Sequence, residues 1–573
     1  MRVCCLAICC LMAMKIFSQE SFHLQVKVLD KTNREPVPGA VLFIKQTGQG
    51  AVSDQDGILK MDLGTGFYTF EIRHIAYEIL RDSVFLKHDK QLQFFLYPVA
   101  RDIDEVVVSS EKPIDRLRDA QSGVMRMQSQ EINQLPQLMG ESDILGALRL
   151  SPGVKAGGEG NPAVYVRGGG PGENLVILDY LPLYNPSHLL GLYSVFNNDI
   201  VREVNLYKGA FPANYGGRAS SVIQVYSKEG APEKPEIFGS IGLIHSKLTL
   251  RAGVFNQKLL IQSSFRRSYL EAIFAGMEIL PNKKKKFAKG ASYYFYDFNT
   301  KLQWDISKKH KLHADVYSGI DLYKQERPFY NLKSSIGWGN LAYSLRWNYI
   351  GNQSFSSNLV IGSTQYQFQM AGEFDPYKIK INSGVKDYFA KAEINYFQSF
   401  NHFKAGIEYS HHQIYPNTID VSASETGYAS SPEFLAHEGA FFIHDEIDFS
   451  EKLSCIGGIR LGGYAQTGPY QEIISDSLSV FFDTIFYPSA KILSKYISAD
   501  PRLMIRYMIN KENSIKFSYS HNTQFLHLIS VGSVSFPTDI WFPSTRIVKP
   551  EKVHQISAGD RKSTRLNSSH RIR

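Results

Sequence analysis

Apolar and polar residues alternate along most of this chain, with the period of two that marks strands packed on one face. Near the start, His23-Leu-Gln-Val-Lys-Val28, Val41-Leu-Phe-Ile44 and Phe67-Tyr-Thr-Phe-Glu-Ile72 each alternate. Pro36-Val-Pro-Gly39, Asp54-Gln-Asp-Gly57 and Gly64-Thr-Gly66 separate them as turns. Residues 22–98 are therefore expected to form a compact all-β module. From Phe238 to Asp560 the alternation returns in longer runs. Tyr294, Tyr296, Phe298, Thr300, Leu302 and Trp304 interleave with Phe295, Asp297, Asn299, Lys301 and Gln303. Leu341, Tyr343, Leu345 and Trp347 interleave with Ala342, Ser344 and Arg346, and Tyr388 to Tyr396 repeats the pattern. Such runs approach the roughly 9–11 residues of a strand that crosses a bilayer at a tilt. Tyr and Trp near their ends suit the aromatic girdles of a spanning barrel, and the polar parity suits a wet interior. A soluble sandwich array is the alternative, and it gives no reason for so much outward Tyr and Phe.

The middle of the chain breaks the period. Ser142–Leu150 is expected to be a short helix, with Ser142 as N-cap, Ile144, Leu145 and Leu148 on one face, and Ser151-Pro-Gly153 as its stop. Val164-Tyr-Val166 and Leu175-Val-Ile-Leu178 flank Gly168-Gly-Gly-Pro-Gly172. A phosphate-binding loop needs a helix after its glycines, and Pro171 followed by a strand argues against one. A tight hairpin turn explains these glycines better. Upstream, residues 99–129 hold Asp102-Ile-Asp-Glu-Val-Val-Val-Ser109, a β-prone strip beside polar sequence. It suits docking on another protein's sheet edge, and equally suits the last strand of the preceding module.

Composition adds constraints. Residues 1–18 resemble a secretory signal, with Arg2, an apolar core from Val3 to Met14, and Ser18 before a cut. Four of the five cysteines lie in that leader, which leaves Cys455 alone on an apolar strand face. The net charge of +8 comes from the leader and from residues 561–573; without them 56 basic residues face 55 acidic ones. The basic pI thus implies no nucleic-acid partner. Asp54-x-Asp56-Gly57 lacks the distal Glu of a calcium loop and is expected to be a turn. His310 with His313, and His411 with His412, point to opposite strand faces, so neither is a zinc site. Lys283–Lys286 is a solvated loop. No catalytic triad, metal ligand set or cofactor motif emerges.

Two resemblances organise the rest. Val26-Lys-Val-Leu-Asp30, Pro38-Gly-Ala-Val41, Ser53-Asp-Gln-Asp-Gly57 and Gly66-Phe-Tyr-Thr-Phe70 resemble the carboxypeptidase-regulatory-like sandwich. Asp143-Ile-Leu145, Leu150-Ser-Pro-Gly-Val154, Val166-Arg-Gly168, Leu175-Val-Ile-Leu-Asp179, Ile200-Val-Arg-Glu-Val204, Lys208-Gly-Ala210, Tyr215-Gly-Gly217 and Val222-Ile223 follow in order. Together they closely resemble the plug domain of TonB-dependent outer-membrane receptors, in the arrangement common in Bacteroidetes. The resemblance implies a mainly β protein: an N-terminal sandwich (22–98), a strip and linker (99–129), an α+β plug (130–229) and an antiparallel transmembrane barrel (237–560).

It also implies roles. The protein would import a scarce nutrient (siderophore, cobalamin, peptide or glycan) rather than catalyse a reaction, and would need no cofactor. Asp104, Glu105, Val106, Val107 and Val108 become the candidate contact for TonB, the periplasmic energy transducer. Arg167, Gly168, Arg202, Gly216 and Gly217 become plug structural or gating residues, with the two arginines expected against barrel carboxylates. Tyr184, Asn185 and His188 become the ligand-facing candidates. Outer-membrane lipid and a small nutrient are the other expected partners. Tyr180-Leu-Pro-Leu-Tyr-Asn-Pro-Ser-His188 replaces the signature of the glycan importers that pair with a surface lipoprotein, so that partner stays open. The rival class is a non-transporting surface protein for binding or signalling. Residues 561–573 abandon the alternation and resemble translated adapter sequence. The family's barrels have 22 strands, and residues 237–560 have room for about 13–15 at roughly 22–25 residues each, so a barrel short of its last third is expected.

Overall fold

The computed structural model describes residues 21–562 except 32–33, 45–46, 48, 75–76, 97–119, 136–140, 158–163, 280–289, 328–331, 353, 375–376, 399, 423–432, 476–480, 511 and 530–538. The leader, the 102–109 strip and residues 563–573 lie outside that set. The chain divides into two compact units, residues 1–107 and 108–573.

The first unit is the expected sandwich. One sheet orders Ile58–Gly64, Ser21–Asp30 and Lys90–Leu96; the other orders Gly50–Val52, Val41–Ile44, Gly66–His74 and Tyr77–Leu86. Inward residues at alternate positions (Leu24, Val26, Val28, Leu42, Ile44, Phe70, Ile72) make its core. The Asp54 turn closes on itself. Asp54 Oδ1 accepts from the Asp56 and Ile58 amides at 3.0 and 2.9 Å, and Gly57 takes φ +73°. The aspartate thus serves the turn.

In the second unit, the plug sheet orders Leu181–Pro182, Asn174–Leu178, Ser221–Ser227, Val201–Lys208 and Val124–Gln128. The predicted helix is present as Ile144–Arg149 and buries Ile144, Leu145 and Leu148. Its N-cap is Asp143, one residue beyond the expected Ser142: the carboxylate accepts from the Gly146 amide. The glycine turn also differs from the expected hairpin. Val164–Val166 pairs with Val154–Ala156, whereas Asn174–Leu178 belongs to the five-stranded sheet. Gly168-Gly-Gly170 and a 3-10 turn at Pro171–Glu173 carry the chain from one sheet to the other, with φ +88° at Gly168.

Residues 236–562 form one antiparallel sheet of 14 strands in sequence order. This agrees with the expected number, and the last strand, Glu551–Lys562, runs two residues past Asp560. The parity is as predicted: on Ala291–Asp305 the side chains of Asp297, Asn299, Lys301 and Gln303 are buried, while Phe298, Leu302 and Trp304 are exposed. A soluble core would invert that assignment. Here the polar face is covered by the plug, and the apolar face is the one left for lipid. Among the described residues no helix is long and apolar enough to cross a membrane.

The two rims differ. One has short turns at 255–258, 306–309, 353–354, 398–400, 449–452 and 509–512. The other carries the long connections 269–290, 423–433, 468–491 and 525–550. In outer-membrane barrels short turns face the periplasm and long loops the exterior.

Candidate functional site, where plug meets wall

Inward residues of the wall reach the plug through charge. Lys301 Nζ lies 3.3 Å from Asp179 Oδ2 and 3.1 Å from Glu229 Oε1, and Arg346 Nη2 shares that Glu229 oxygen at 3.1 Å. Arg266 Nη1 meets Glu141 at 3.2 Å, and Lys247 meets Asp199 at 3.1 Å. Burial alone would raise the Glu141 carboxyl, but Arg266, His245 and Lys247 hold it down at about 2. Other wall cations donate to plug carbonyls: Lys391 Nζ to Asn214 O at 3.0 Å, and Arg502 Nη1 to Phe211 O at 3.1 Å and Tyr215 O at 2.8 Å. Each of these cations meets a carboxylate or a carbonyl, which offsets the cost of burying it.

Most of the ion pairs across this seam carry the cation on the wall. Arg202 lies 3.8 Å from its neighbour Glu203 and stacks over Tyr226, both within the plug. Arg167 has φ +49° and donates to the Ser557 hydroxyl of the last strand at 3.3 Å. A β-carbon at Gly209 would stand 2.7 Å from Arg167 Nη1, and one at Gly216 2.1 Å from Arg460 Nε. Gly216 therefore lets a wall arginine approach the plug backbone; Gly217 has φ +72° and Gly168 +88°. Lys301 and Arg346 stand out in the sequence only as polar-parity positions, and nothing local distinguishes Lys247, Arg266, Lys391 or Arg502.

Tyr184–His188 lies between plug and wall toward the long-loop rim. His188 is sealed: Nε2 is 2.5 Å from Asp297 Oδ1, Nδ1 is 2.5 Å from Asp321 Oδ2, and the ring stacks on Phe295 at 4.5 Å. Tyr184 and Asn185 instead line a cavity of about 100 Å³. Trp338 and Tyr366 of the wall, Trp541 and Leu528 of the 525–550 connection, and Arg218 complete much of it. Tyr184 bonds to Asp387 and packs edge-on against Trp541 at 4.9 Å; Arg218 lies over both rings. The buried Trp338 Nε1 and Arg218 Nε have no hydrogen-bond partner among the described residues. The cavity thus offers flat aromatic faces beside the Arg218 guanidinium, the composition of a small-molecule site. No cluster of metal-ligating residues occurs among the described residues. The TonB candidates Asp104–Val108 lie outside the described residues.

Comparison with known proteins agrees with this architecture. Residues 25–108 match the CarboxypepD_reg-like domain, a span that takes in Asp104–Val108, and residues 116–223 match the TonB-dependent Receptor Plug Domain. Among solved structures the chain is similar to the siderophore receptor PirA from Acinetobacter baumannii (13% identity, TM-score 0.55, 79% of this chain and 69% of that one). It is also similar to the ferric yersiniabactin uptake receptor FyuA from Yersinia pestis (11%, 0.54, 77% and 70%). The ferric enterobactin receptor PfeA from Pseudomonas aeruginosa is a third (14%, 0.54, 80% and 71%). No curated protein sequence matches. The plug and the 14-stranded wall share the fold of the corresponding parts of these receptors. Residues 116–223 thus match a plug domain by sequence, and the fold is shared with TonB-dependent receptors of known structure.

Proposed function

We propose that the protein is an outer-membrane receptor that binds a scarce nutrient from outside and imports it to the periplasm with work supplied through TonB. The observation that carries this reading is a plug seated in the polar lumen of a membrane-type wall, with an aromatic cavity on the long-loop side. The outer membrane holds no ATP, so uphill import needs an outside source of force. Ligand in the cavity touches both plug (Tyr184, Asn185, Arg218) and wall (Trp338, Tyr366), so occupancy bears on how the plug is seated. In this reading Asp104–Val108 hands the plug to TonB by strand addition, and Arg167, Arg202, Gly216 and Gly217 shape the plug as it moves. Siderophore, cobalamin, peptide and glycan all remain cargo classes for test.

Deletion of Asp102–Ser109 in cells grown on the scarce nutrient is the discriminating experiment. Import is expected to stop while surface binding persists. Undiminished import would refute the strip's role; ligand binding with no import in any strain, TonB-replete or not, would favour the non-transporting surface protein.

A further inference from the structure

Two clusters on the outward face of the wall repeat each other. Strand Asn401–Ser422 carries Tyr409-Ser-His411, and strand Asn513–Gln524 carries Tyr519-Ser-His521. Each histidine stands directly opposite another on the next strand, His411 opposite His437 and His521 opposite His554. The imidazole centroids are 4.7 and 4.5 Å apart, with planes at 33° and 32°. In both, the tyrosine hydroxyl meets Nδ1 of the opposite histidine, at 2.7 Å for Tyr409–His437 and 3.1 Å for Tyr519–His554. His521 Nδ1 also donates to Ala499 O at 3.0 Å and lies 3.2 Å from Asp500. All four histidines are half-buried or exposed on that face.

The clusters share a level. They stand roughly eight to eleven residues above the short-turn rim, which at about 3.3 Å per residue and a tilt of about 40° is ~20–28 Å. An outer-membrane barrel has an apolar band about 25 Å tall, so both clusters fall at its outer-leaflet edge. Below them the outward positions are apolar and exposed: Ile407 and Phe441 in one, Phe517 and Ile556 in the other. Beside or above them come lysines. Lys386 lies over the ring of Tyr388, which stacks on His411, and Lys552 stands two positions from His554. An imidazole pair meets a phosphate in either protonation state, as N–H donor to an oxygen or as acceptor from a phosphate hydroxyl. Asp500 stands beside His521, but no group of three or more side chains placed to hold a metal occurs among the described residues.

We propose that the two clusters are seats for phosphate-bearing headgroups of outer-leaflet lipid, one headgroup per cluster. The proposal rests on the membrane-spanning reading above. The test folds the full chain into phosphatidylcholine vesicles with and without a minor fraction of phosphatidic acid, then counts retained lipids by native mass spectrometry. Wild type is expected to keep two phosphatidic acid molecules, His437→Phe or His554→Phe one, and the double variant none. Phe keeps the ring and its apolar area, and His411→Phe with His521→Phe gives a second, independent pair. Equal retention by wild type and variants, equal retention of phosphatidylcholine, displacement by inorganic phosphate, or lipid-independent zinc binding would each overturn it. Flotation with pure phosphatidylcholine is expected for every variant. Failure of wild type to float would instead sink the membrane-spanning reading.

Discussion

His188 of the plug is held against Asp297 of the wall, with Nε2 2.5 Å from the carboxylate and the pair almost wholly buried. Asp321 takes the other ring nitrogen, so one imidazole joins two strands to the plug. His188→Leu leaves Asp321 without that cation, while Asp297 keeps Arg266 at 2.6 Å, and is expected to loosen the plug by about 3 kcal/mol, the low end for breaking one side of a buried pair. Hydrogen exchange across residues 187–194 would read it; unchanged protection would count against the clamp.

The same imidazole gives a pH dependence. Burial alone would lower its pKa, but Asp297 and Asp321 outweigh burial and raise it to about 9. A raised histidine stabilises the folded form fully below its unfolded value near 6.5 and loses that contribution as pH climbs through 9. Urea unfolding of the plug should therefore need less denaturant at pH 10 than at pH 6. His188→Gln should flatten that difference.

Lys301 neutralises Asp179 and Glu229 together and bonds to the Ser227 hydroxyl at 2.9 Å. Lys301→Met should weaken plug seating by about 3–5 kcal/mol, and Glu229→Gln by less because Arg346 and Lys301 keep an amide acceptor there. Limited proteolysis of the plug in detergent would rank the two.

In the sandwich, a β-carbon at Gly57 would stand 2.4 Å from the Val28 carbonyl, at φ +73°. Gly57→Ala should destabilise this domain by about 1–3 kcal/mol. A melt of residues 21–96 would show the loss, while plug and wall should be unaffected.

Around the cavity, Arg218→Ala and Trp541→Ala should each weaken ligand binding tenfold or more by removing a stacked pair, without changing strip-dependent energisation. Equilibrium binding to whole cells would separate these variants from the Asp102–Ser109 deletion.

Much of the fold was legible in the chain because a strand records its environment every second residue. The Asp297-Asn299-Lys301-Gln303 series announced a wet face, and Phe298-Leu302-Trp304 its opposite. The helix was legible to within one residue of its cap. The glycine turn was harder: pairing between sheets is decided by partners far along the chain, and a hairpin and a crossover use the same residues. The bridges were harder still. His188 and Asp297 are 109 positions apart, and neither residue carries a local mark of the other. Most cations across this seam sit on the wall strands, which have long inward rows to fill and carry no local mark of the plug.

Beside small apolar contacts such as Ala210 with Ile456 and Met504, the plug is held by many ion pairs and hydrogen bonds, and this bears on how it yields to a pull. An apolar seat resists in proportion to area and re-forms poorly once wetted. A polar contact lets go within an ångström or two, and water then takes its place at little net cost. Force applied from one end can therefore break the cations' hold one at a time, so that the peak load is that of a single rung rather than of the whole ladder. When the load is removed, the same rungs guide the domain back into its original seat.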